Sequence, residues 1–304
     1  MNVFTLPDPR PLEKSIARKL DIKKTPSGEW RQFTNGEWFL RILRTSKNAI
    51  VLGRTEPSGD HILQTLTLID TLKRNGAKTI TVVLPYFGYC RQDRIVRTGD
   101  HLPADLLVKT TAQLGASRIL TIDLHSSITE KNSSIPLVGI DFVPELTRAL
   151  KKYMEKKELC TIISPDKGSK KRAETLRDLF DPSAPVCWFE KHRDPMTGRV
   201  HAHDLNGTPR GTTAIITDDI CDTGGTIREA VRGLKKQGFK KLFLCITHPV
   251  FSAHATPLLR SLKFTRIFVS NTIPLASSIQ KKLPLTIVDA APTLTIALKK
   301  ITSV

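Results

Sequence analysis

The sequence is poor in aromatic residues, has few cysteines and lacks any long apolar run. Phe, Trp and Tyr make up 6% of its 304 residues, so the stacking platforms used to bind single-stranded nucleic acids are scarce. No run approaches the roughly 18 apolar residues needed to cross a bilayer, and the first ten residues lack the apolar core of a signal peptide. The five cysteines are far apart and form no C-x-x-C pair. This spacing indicates reduced core residues in a cytoplasmic protein, without disulfides or a zinc site. The lack of a long apolar run predicts that there is no membrane partner.

Positive charge is in excess. The 47 Lys and Arg residues outnumber the 29 Asp and Glu residues, which gives a formal net charge of +18. Such a charge favours anionic partners, including nucleotides, sugar phosphates and nucleic acids. Many of the basic residues are Lys pairs spread along the chain, and several pairs fall at the ends of predicted helices, where cations complement the helix dipole. This distribution predicts a solvated basic surface and no specific nucleic-acid partner.

Short runs rich in β-branched residues alternate with amphipathic stretches along the chain. The runs are continuously apolar, which is typical of strands covered on both faces. The predicted strands are residues 49–52, 79–84, 118–124, 161–164, 185–189, 213–217, 241–247, 266–270 and 285–288. The predicted helices are residues 59–74, 104–114, 144–157, 170–179, 226–237 and 252–262. Pro257 interrupts the last of these predicted helices, and Gly238 is expected to end the helix before it.

This alternation predicts an α/β fold with mostly parallel sheets flanked by helices. About nine strands are many for one sheet, so we predict two similar domains with sheets of four or five strands, residues 1–143 and 144–304. In open α/β sheets, ligands bind where strands end and helices begin. The chemistry is therefore expected in the segments 85–94, 123–125, 164–172 and 217–226.

The most specific motif is A-I-I-T-D-D-I-C-D-T-G-G-T at residues 214–226. An apolar strand leads into two adjacent carboxylates, and a D-T-G-G-T loop then opens a helix. The glycines allow close approach of the backbone, while the loop N–H groups and the helix N-terminus form a cradle for phosphate. The two carboxylates can accept hydrogen bonds from vicinal sugar hydroxyls. The pattern therefore favours a ribose phosphate site over a purely structural turn that caps the helix. The residues of this predicted ribose phosphate site are Asp218, Asp219, Asp222, Thr223, Gly224, Gly225 and Thr226.

The motif resembles the phosphoribosyl diphosphate signature of the phosphoribosyltransferase fold. Two classes of enzyme share this fold, the transferases and the diphosphokinases, and other segments of the sequence distinguish between them. These segments cover essentially the whole chain. They are P-Y-F-G-Y-C-R-Q-D-R at 85–94, D-L-H at 123–125, F-T-N-G-E at 33–37, S-P-D-K-G at 164–168 with K-R-A at 171–173, E-K-H-R at 190–193, F-S at 251–252 and N-T-I-P at 271–274. All of them resemble segments of the ribose-phosphate diphosphokinase family.

The resemblance implies an enzyme that moves the β,γ-diphosphoryl group of Mg-ATP to the C1 hydroxyl of ribose 5-phosphate, with Mg²⁺ as cofactor. It implies two phosphoribosyltransferase-like domains, the first binding the nucleotide and the second binding ribose 5-phosphate and the diphosphate. It also implies a homo-oligomer, a dimer or a hexamer, in which residues 33–37 reach the adenine of a neighbouring subunit.

The resemblance further implies roles for individual residues. Those for ATP are Phe33, Asn35, Glu37, Arg91, Gln92 and His125. Those of the diphosphate loop are Asp166, Lys167 and Gly168, those for the metal are Asp123, His125 and Asp166, and the catalytic residues are Lys191, Arg193 and His125. From the residues alone, Lys191 and Arg193 could also belong to a surface hairpin, and His201 and His203 are interpreted as loop or edge-strand residues.

Two departures from the family pattern leave alternatives open. Residues 126–135 read S-S-I-T-E-K-N-S-S-I, where the commonest family members carry Q-x-Q-G-F-F. This difference, together with the end of the sequence at Val304, predicts altered regulation by phosphate and ADP. Ser169 and Lys167 replace a glycine and a small residue, which would crowd the diphosphate loop. The alternatives are a catalytically silent regulatory partner of such an enzyme and, more remotely, an RNA-binding regulator. The intact D-D-I-C-D-T-G-G-T loop favours the enzyme.

Overall fold

The chain divides into two compact units. The computed structural model describes residues 1–20, 28–57, 59–154, 158–193, 200–252 and 254–302, with residues 191–193 and 200–204 described by their backbone alone. Unit 1 contains Met1–Asp141 and Ala290–Val304, and unit 2 contains Phe142–Asp289. The predicted domain boundary after residue 143 lies close to the position where the chain passes from unit 1 to unit 2, between Asp141 and Phe142. The C-terminal segment was predicted in the second domain but belongs to unit 1.

Strands and helices alternate along both units. The strands are β1 (Asn2–Thr5), β2 (Glu29–Gln32), β3 (Trp38–Arg41), β4 (Asn48–Leu52), β5 (Thr79–Leu84), β6 (Arg118–Ile122), β7 (Leu137–Ile140), β8 (Cys160–Ser164), β9 (Val186–Arg193), β10 (Val200–Asn206), β11 (Thr213–Cys221), β12 (Lys241–Pro249), β13 (Arg266–Ser270) and β14 (Leu285–Val288). The helices are α1 (Pro11–Lys19), α2 (Gly59–Arg74), α3 (Pro103–Gln113), α4 (Ser127–Lys131), α5 (Val143–Tyr153), α6 (Lys170–Phe180), α7 (Gly225–Lys236), α8 (Ala255–Leu262), α9 (Ser277–Lys282) and α10 (Ala291–Thr302).

Unit 1 is built on a five-stranded parallel sheet with the order β1-β4-β5-β6-β7. Its three central strands are buried over nearly their whole length, as expected for strands covered on both faces. α10 packs against α1 and β7 and buries Leu294 and Leu298 completely. This packing explains why the C-terminal segment belongs to unit 1. A separate antiparallel hairpin is formed by β2 and β3.

Unit 2 is built on a seven-stranded sheet with the order β10-β9-β8-β11-β12-β13-β14. Its pairs are parallel except for β9 and β10, which pair antiparallel at one edge. β11 lies at the centre, and its apolar residues Ile216 and Ala214 join Ile227 and Leu234 of α7 in one buried core. The carboxyl end of a central strand therefore carries the D-D-I-C-D-T-G-G-T motif.

The end of α7 agrees with the sequence prediction. Gly238 has a φ of +84°, its N–H donates to the carbonyl of Lys235 at 3.1 Å, and the N–H of Phe239 donates to the carbonyl of Leu234 at 3.1 Å. These two bonds define a glycine-terminated helix end, so the predicted stop at Gly238 is confirmed.

Several strand ends near the candidate residues differ from the prediction. The strand predicted at 213–217 continues to Cys221, so Asp218 and Asp219 lie within β11. The strand predicted at 185–189 continues to Arg193, because pairing with β10 extends it. The strand predicted at 118–124 ends at Ile122, since Asp123 has a positive φ of 34°.

Other differences concern short or half-exposed elements. The sequence did not predict the strands β1, β2, β3, β7 and β10 or the helices α1, α4, α9 and α10. The predicted number of four or five strands is wrong for the sheet of unit 2, which has seven. The helix predicted at 252–262 begins at Ala255. Pro257 then falls in its first turn, where a missing N–H removes no helical bond. The helix predicted at 144–157 ends at Tyr153, and residues 155–157 lie outside the described part of the chain.

Within the described ranges, no helix combines the length and the hydropathy needed to cross a membrane.

Candidate active site

The glycine loop of unit 2 connects the end of β11 to the start of α7. Gly224 has a φ of +80°, and a Cβ on it would lie 3.3 Å from the side chain of Leu258. The first helical bond runs from the N–H of Arg228 to the carbonyl of Gly224 at 2.9 Å. The N–H groups of the first turn have no acceptor within the helix, so they are directed into the loop. Together with the helix dipole, they form a site suited to an anion.

The far side of this loop is tied to the segment after β12. The hydroxyl of Ser252 donates to Asp222 Oδ1. The N–H of Phe251, a residue with a φ of +44°, donates to the carbonyl of Cys221 at 3.0 Å. The F-S pair at 251–252 therefore contacts the glycine loop directly.

Asp218 and Asp219 differ sharply in their surroundings. The Asp218 residue is 8% exposed, whereas Asp219 is half-buried. Burial, together with the adjacent carboxylate of Asp219, raises the pKa of Asp218 to about 7. The hydrogen bond from Ser169 and the positive charge of Arg172 lower this pKa, whereas the charge of Asp166 raises it. The buried acid is thus poised to change its charge near neutral pH.

The predicted diphosphate loop follows β8. The hydroxyl of Ser164 donates to the carbonyl of Asp166 at 2.6 Å, and Asp166 Oδ1 accepts from the N–H of Ser169 at 3.1 Å. A Cβ on Gly168 would lie 3.2 Å from Asp166 Oδ1, so a larger residue there would press on the carboxylate. Lys167 is exposed.

Ser169 joins the two loops. Its hydroxyl donates to Asp218 Oδ1 at 2.5 Å, although the sequence suggested only that this serine crowds the loop. The structure therefore brings the segments 164–172 and 217–226 together at one end of the unit 2 sheet. This contact follows from β8 and β11 being parallel neighbours.

A buried polar network lies beside this site, and sequence reasoning missed it. Nδ1 of His248 lies 2.9 Å from Oγ1 of Thr272, which lies 2.7 Å from Oγ of Ser270. The Ser270 hydroxyl donates at 2.5 Å to the carbonyl of Thr247, whose hydroxyl accepts from Arg172. The available signal was the run of polar residues at the ends of two otherwise apolar strands, β12 and β13.

The backbone of Lys191 and Arg193 is extended. Lys191 pairs with Ala202 and Arg193 pairs with Val200 in the antiparallel ladder of β9 and β10. His201 lies in the same edge pair, opposite His192, and the backbone of both His201 and His203 belongs to the edge strand β10, as the sequence indicated.

In unit 1, the P-Y-F-G-Y-C-R-Q-D-R segment begins where β5 ends. Tyr86 is nearly buried, while Arg91 and Gln92 are exposed. The buried Thr55, which sequence reasoning missed, donates to the carbonyl of Tyr86 at 3.0 Å and accepts from the N–H of Gly88 at 2.8 Å. This brace holds the base of the segment and leaves Arg91 and Gln92 accessible.

The D-L-H segment follows β6 in the same sheet. The N–H of Asp123 donates to the carbonyl of Ile140 at 2.9 Å; Asp123 is half-buried and His125 is exposed. Among the described residues, no group of three or more His, Cys, Asp or Glu side chains is arranged to hold a metal ion. The donors predicted for a metal are the carboxylates of Asp123 and Asp166 and the imidazole of His125.

The tip of the β2–β3 hairpin carries three residues predicted for ATP. Phe33, Asn35 and Glu37 are all exposed. The N–H of Phe33 donates to the carbonyl of Glu37 at 2.8 Å, and the N–H of Glu37 donates to Asn35 Oδ1 at 3.2 Å. The guanidinium of Arg31 lies 5.1 Å from the ring centres of both Phe33 and Phe39. The tip is thus an ordered, exposed aromatic and basic surface.

Residues 126–135, which differ from the family pattern, contain the short helix α4. Ser126 caps α4 by accepting the N–H of Ile128 at 3.1 Å. Thr129 and Asn132 line a cavity of about 350 Å³, together with Asp93 and residues of α3.

Comparisons with known proteins agree along the chain. Residues 1–115 match the family model for the N-terminal domain of ribose phosphate pyrophosphokinase, and residues 184–303 match the model for a phosphoribosyl synthetase-associated domain. The ribose-phosphate pyrophosphokinase of Halalkalibacterium halodurans is 35% identical over 280 residues, which cover 90% of this chain and 86% of that protein. The Bacillus subtilis ribose-phosphate pyrophosphokinase is 33% identical over 280 residues, with the same coverage of 90% and 86%.

A solved structure is similar over nearly the full length. The phosphoribosylpyrophosphate synthetase of Mycobacterium smegmatis superimposes with a TM-score of 0.88 at 28% identity, covering 99% of this chain and 98% of that one.

Proposed function

The chain belongs to the ribose-phosphate pyrophosphokinase family, and from that premise we propose that it transfers the β,γ-diphosphoryl group of Mg-ATP to ribose 5-phosphate. The C1 hydroxyl of the sugar attacks the β-phosphorus of ATP and loses its proton. The bond between the β-phosphorus and the oxygen bridging to the α-phosphorus breaks, and AMP leaves. The products are phosphoribosyl diphosphate and AMP.

The glycine loop of unit 2 is the observation that carries this proposal. The positive φ of Gly224 and the first-turn N–H groups of α7 suit the 5-phosphate of the sugar. Thr223 and Thr226 would add hydroxyl donors, and Asp222 borders the loop. Asp218 and Asp219 would accept hydrogen bonds from the sugar hydroxyls.

The loop after β8 is proposed to receive the diphosphate. Gly168 permits close approach of the backbone beside Asp166. Lys167 is exposed and can contribute positive charge. The contact between Ser169 and Asp218 supports placing diphosphate and sugar next to each other within unit 2.

ATP is proposed to bind through unit 1. The exposed guanidinium of Arg91 offers a planar set of donors for phosphate, with Gln92 and His125 completing the contacts. Phe33, Asn35 and Glu37 of a neighbouring subunit are proposed to hold the adenine, which requires a homo-oligomer, a dimer or a hexamer. The exposed hairpin tip supports this role, because an aromatic ring beside a guanidinium can stack on a base.

Mg²⁺ is proposed to enter with ATP. It prefers oxygen ligands and is usually held by one or two carboxylates together with substrate phosphates and water. Asp123 and Asp166 fit that chemistry as single, half-buried carboxylates, and His125 is proposed to act with Asp123. When bound, the ion neutralises charge on the phosphate oxygens.

Lys191 and Arg193 are proposed to stabilise the transferred group. The reaction requires little covalent chemistry of the protein, because positioning and neutralisation of charge carry most of the rate enhancement in phosphoryl transfer. Two cations separated by one residue on β9 suit that purpose. We also propose a cytoplasmic location, which is supported by five cysteines that are all free and buried.

The experiment that tests the proposal is an assay for AMP release from ATP with purified protein and Mg²⁺. AMP should appear only when ribose 5-phosphate is added, together with equimolar phosphoribosyl diphosphate. Ribose, which lacks the phosphate, is the control acceptor and should be inactive. Release of AMP that does not depend on ribose 5-phosphate, or no release at all from folded protein, would contradict the proposal.

A further inference from the structure

Ser169 stands at the N-cap of α6 but does not cap it. An N-cap serine usually accepts a hydrogen bond from a first-turn N–H of its own helix, and the Ser169 side chain makes no such bond. Its hydroxyl instead donates to Asp218 Oδ1 at 2.5 Å, across 49 positions of sequence. Since the helix gives up its cap for this contact, the side chain serves the carboxylate and not the helix.

The same serine holds an acid in each of two loops. Its backbone N–H donates to Asp166 Oδ1 at 3.1 Å, while its hydroxyl holds Asp218. Asp166 follows β8, and Asp218 lies within β11, the parallel neighbour of β8. Ser169 is therefore a direct link between the proposed diphosphate loop and the proposed sugar site.

The hydrogen bonds of Asp218 fall on one oxygen. Oδ1 accepts from the Ser169 hydroxyl at 2.5 Å and from the N–H of Asp219 at 3.1 Å. Two donors on Oδ1 fix the plane of the carboxylate and leave Oδ2 as the oxygen able to accept from a ligand. A carboxylate held in this way needs no reorientation when a sugar hydroxyl arrives.

We propose that Ser169 is a positioning residue for sugar recognition, whose hydroxyl orients Asp218 so that Oδ2 accepts from a hydroxyl of ribose 5-phosphate. This inference rests on the proposed function and adds to it the residue that organises the sugar site. It also gives the glycine-to-serine departure at position 169 a role that supports binding.

The test compares Ser169→Ala with three other variants. Ser169→Ala removes the hydroxyl, and Ser169→Gly does the same with a residue that is well tolerated at an N-cap. Ser169→Thr keeps a hydroxyl. Ser183→Ala is the matched control, because the Ser183 hydroxyl donates to Asp181 Oδ1 at 2.8 Å just beyond the other end of the same helix.

The expected result is a selective loss of sugar affinity. Ser169→Ala and Ser169→Gly should raise the KM for ribose 5-phosphate roughly tenfold or more, the size expected for one hydrogen bond to a charged group, with the KM for ATP within twofold of wild type. Calorimetric titration with ribose 5-phosphate alone should show the same loss, Ser169→Thr should recover most of the affinity, and Ser183→Ala should match wild type.

Several outcomes would overturn the inference. An unchanged KM for ribose 5-phosphate in folded Ser169→Ala or Ser169→Gly would do so, as would equal rises for both substrates or a Ser169→Thr that behaves like Ser169→Ala. If the wild-type protein released no AMP, the proposed function itself would fail. An active wild type with unaffected serine variants would refute only the role of Ser169.

Discussion

A Cβ placed on Gly88 would lie 1.7 Å from the carbonyl oxygen of Thr55. Real Cβ atoms do not approach that closely, and the obstacle is backbone, which cannot rotate away as a side chain can. Thr55 is 4% exposed and also bonds to the segment through its hydroxyl. The base of the proposed ATP segment is therefore packed backbone against backbone, and only glycine fits at position 88.

We predict that Gly88→Ala lowers both stability and ATP affinity. Overpacking a tight contact typically costs about 1–3 kcal/mol, and relief of this clash must move the chain that presents Arg91. Thermal unfolding should show a clear loss in Tm, and the KM for ATP should rise more than that for ribose 5-phosphate. Gly59→Ala is the control, because a Cβ there meets nothing within 4 Å. A Gly88→Ala protein with wild-type Tm would contradict the packing.

Asp218 yields a prediction about stability and pH. Its pKa in the folded protein is about 7, against an ordinary value of 3.8, so the folded state binds this proton more tightly than the unfolded state does. The resulting stabilisation is fully present below pH 3.8 and is lost as pH rises through 7. Asp219, Asp166 and Arg172 face this carboxyl group. The two acids raise its pKa, as burial does, and Arg172 lowers it.

We therefore expect Asp218→Asn to raise Tm at pH 8 and to have a smaller effect at pH 5, while weakening ribose 5-phosphate binding. Calorimetric unfolding at both pH values measures the difference. Asp181→Asn is the control, since the pKa of that exposed carboxyl is lowered by its bonds to Ser183. It should not raise Tm at pH 8. A lower Tm for Asp218→Asn at pH 8 than for wild type would contradict the prediction.

Asp219→Ala separates the two proposed pockets. Asp219 lies near the end of β11, in the proposed sugar site of unit 2, whereas Arg91 and Gln92 belong to unit 1. Ribose 5-phosphate binding should be abolished and ATP binding nearly unchanged in calorimetric titrations. Asp178→Ala, which removes an exposed acid of α6 paired with Arg177, should leave both affinities at wild-type values. Equal loss of both affinities in folded Asp219→Ala protein would show that the pockets are wrongly assigned.

The sequence correctly predicted those structural elements that depend on residues adjacent in sequence. The strand, glycine loop and helix at 213–237 follow from apolar residues, glycines and a C-terminal stop that lie consecutively, and all three are present. The contact between Ser169 and Asp218 could not be predicted from the sequence, because it depends on β8 and β11 being neighbours in the sheet. The brace between Thr55 and Gly88 depends in the same way on β4 lying next to β5.

Element ends were missed where pairing overrides local preference. Aspartates are disfavoured in strands, so β11 was expected to stop before Asp218, but pairing with Ile246 and His248 of β12 carries it to Cys221. The C-terminal segment that forms α10 fell in the second predicted domain, residues 144–304. Its packing partners, α1 and β7, are both in unit 1.

We predict that activity does not require high inorganic phosphate and that ADP inhibits only in competition with ATP. Residues 126–135 differ from the pattern typical of the family and form a short helix capped by Ser126. Initial rates should therefore be nearly flat across phosphate concentrations, and saturating ATP should abolish inhibition by ADP. A steep phosphate activation curve, or ADP inhibition that persists at saturating ATP, would contradict this prediction.

Lys191 and Arg193 give the prediction that bears most directly on catalysis. Both lie on β9, where the backbone pairs with β10, and both are proposed to meet the transferred group. As the bond to AMP breaks, negative charge spreads over the phosphate oxygens. A cation placed there stabilises the transition state more than the bound substrates, particularly where water is excluded and the dielectric is low. Substitution should therefore act on turnover more than on binding.

Removing one well-placed donor of this kind typically costs roughly 10²–10³ in turnover. Lys191→Ala and Arg193→Ala should each lower kcat by at least that factor, with the KM values changing only several-fold. The double variant should fall short of the product of the two effects, because residues that act on one group are not additive. Lys240→Ala, an exposed lysine of the same unit, should have wild-type kcat and so controls for the loss of one surface charge. Near-normal turnover in both single variants would mean that this part of β9 is a surface hairpin without a catalytic role.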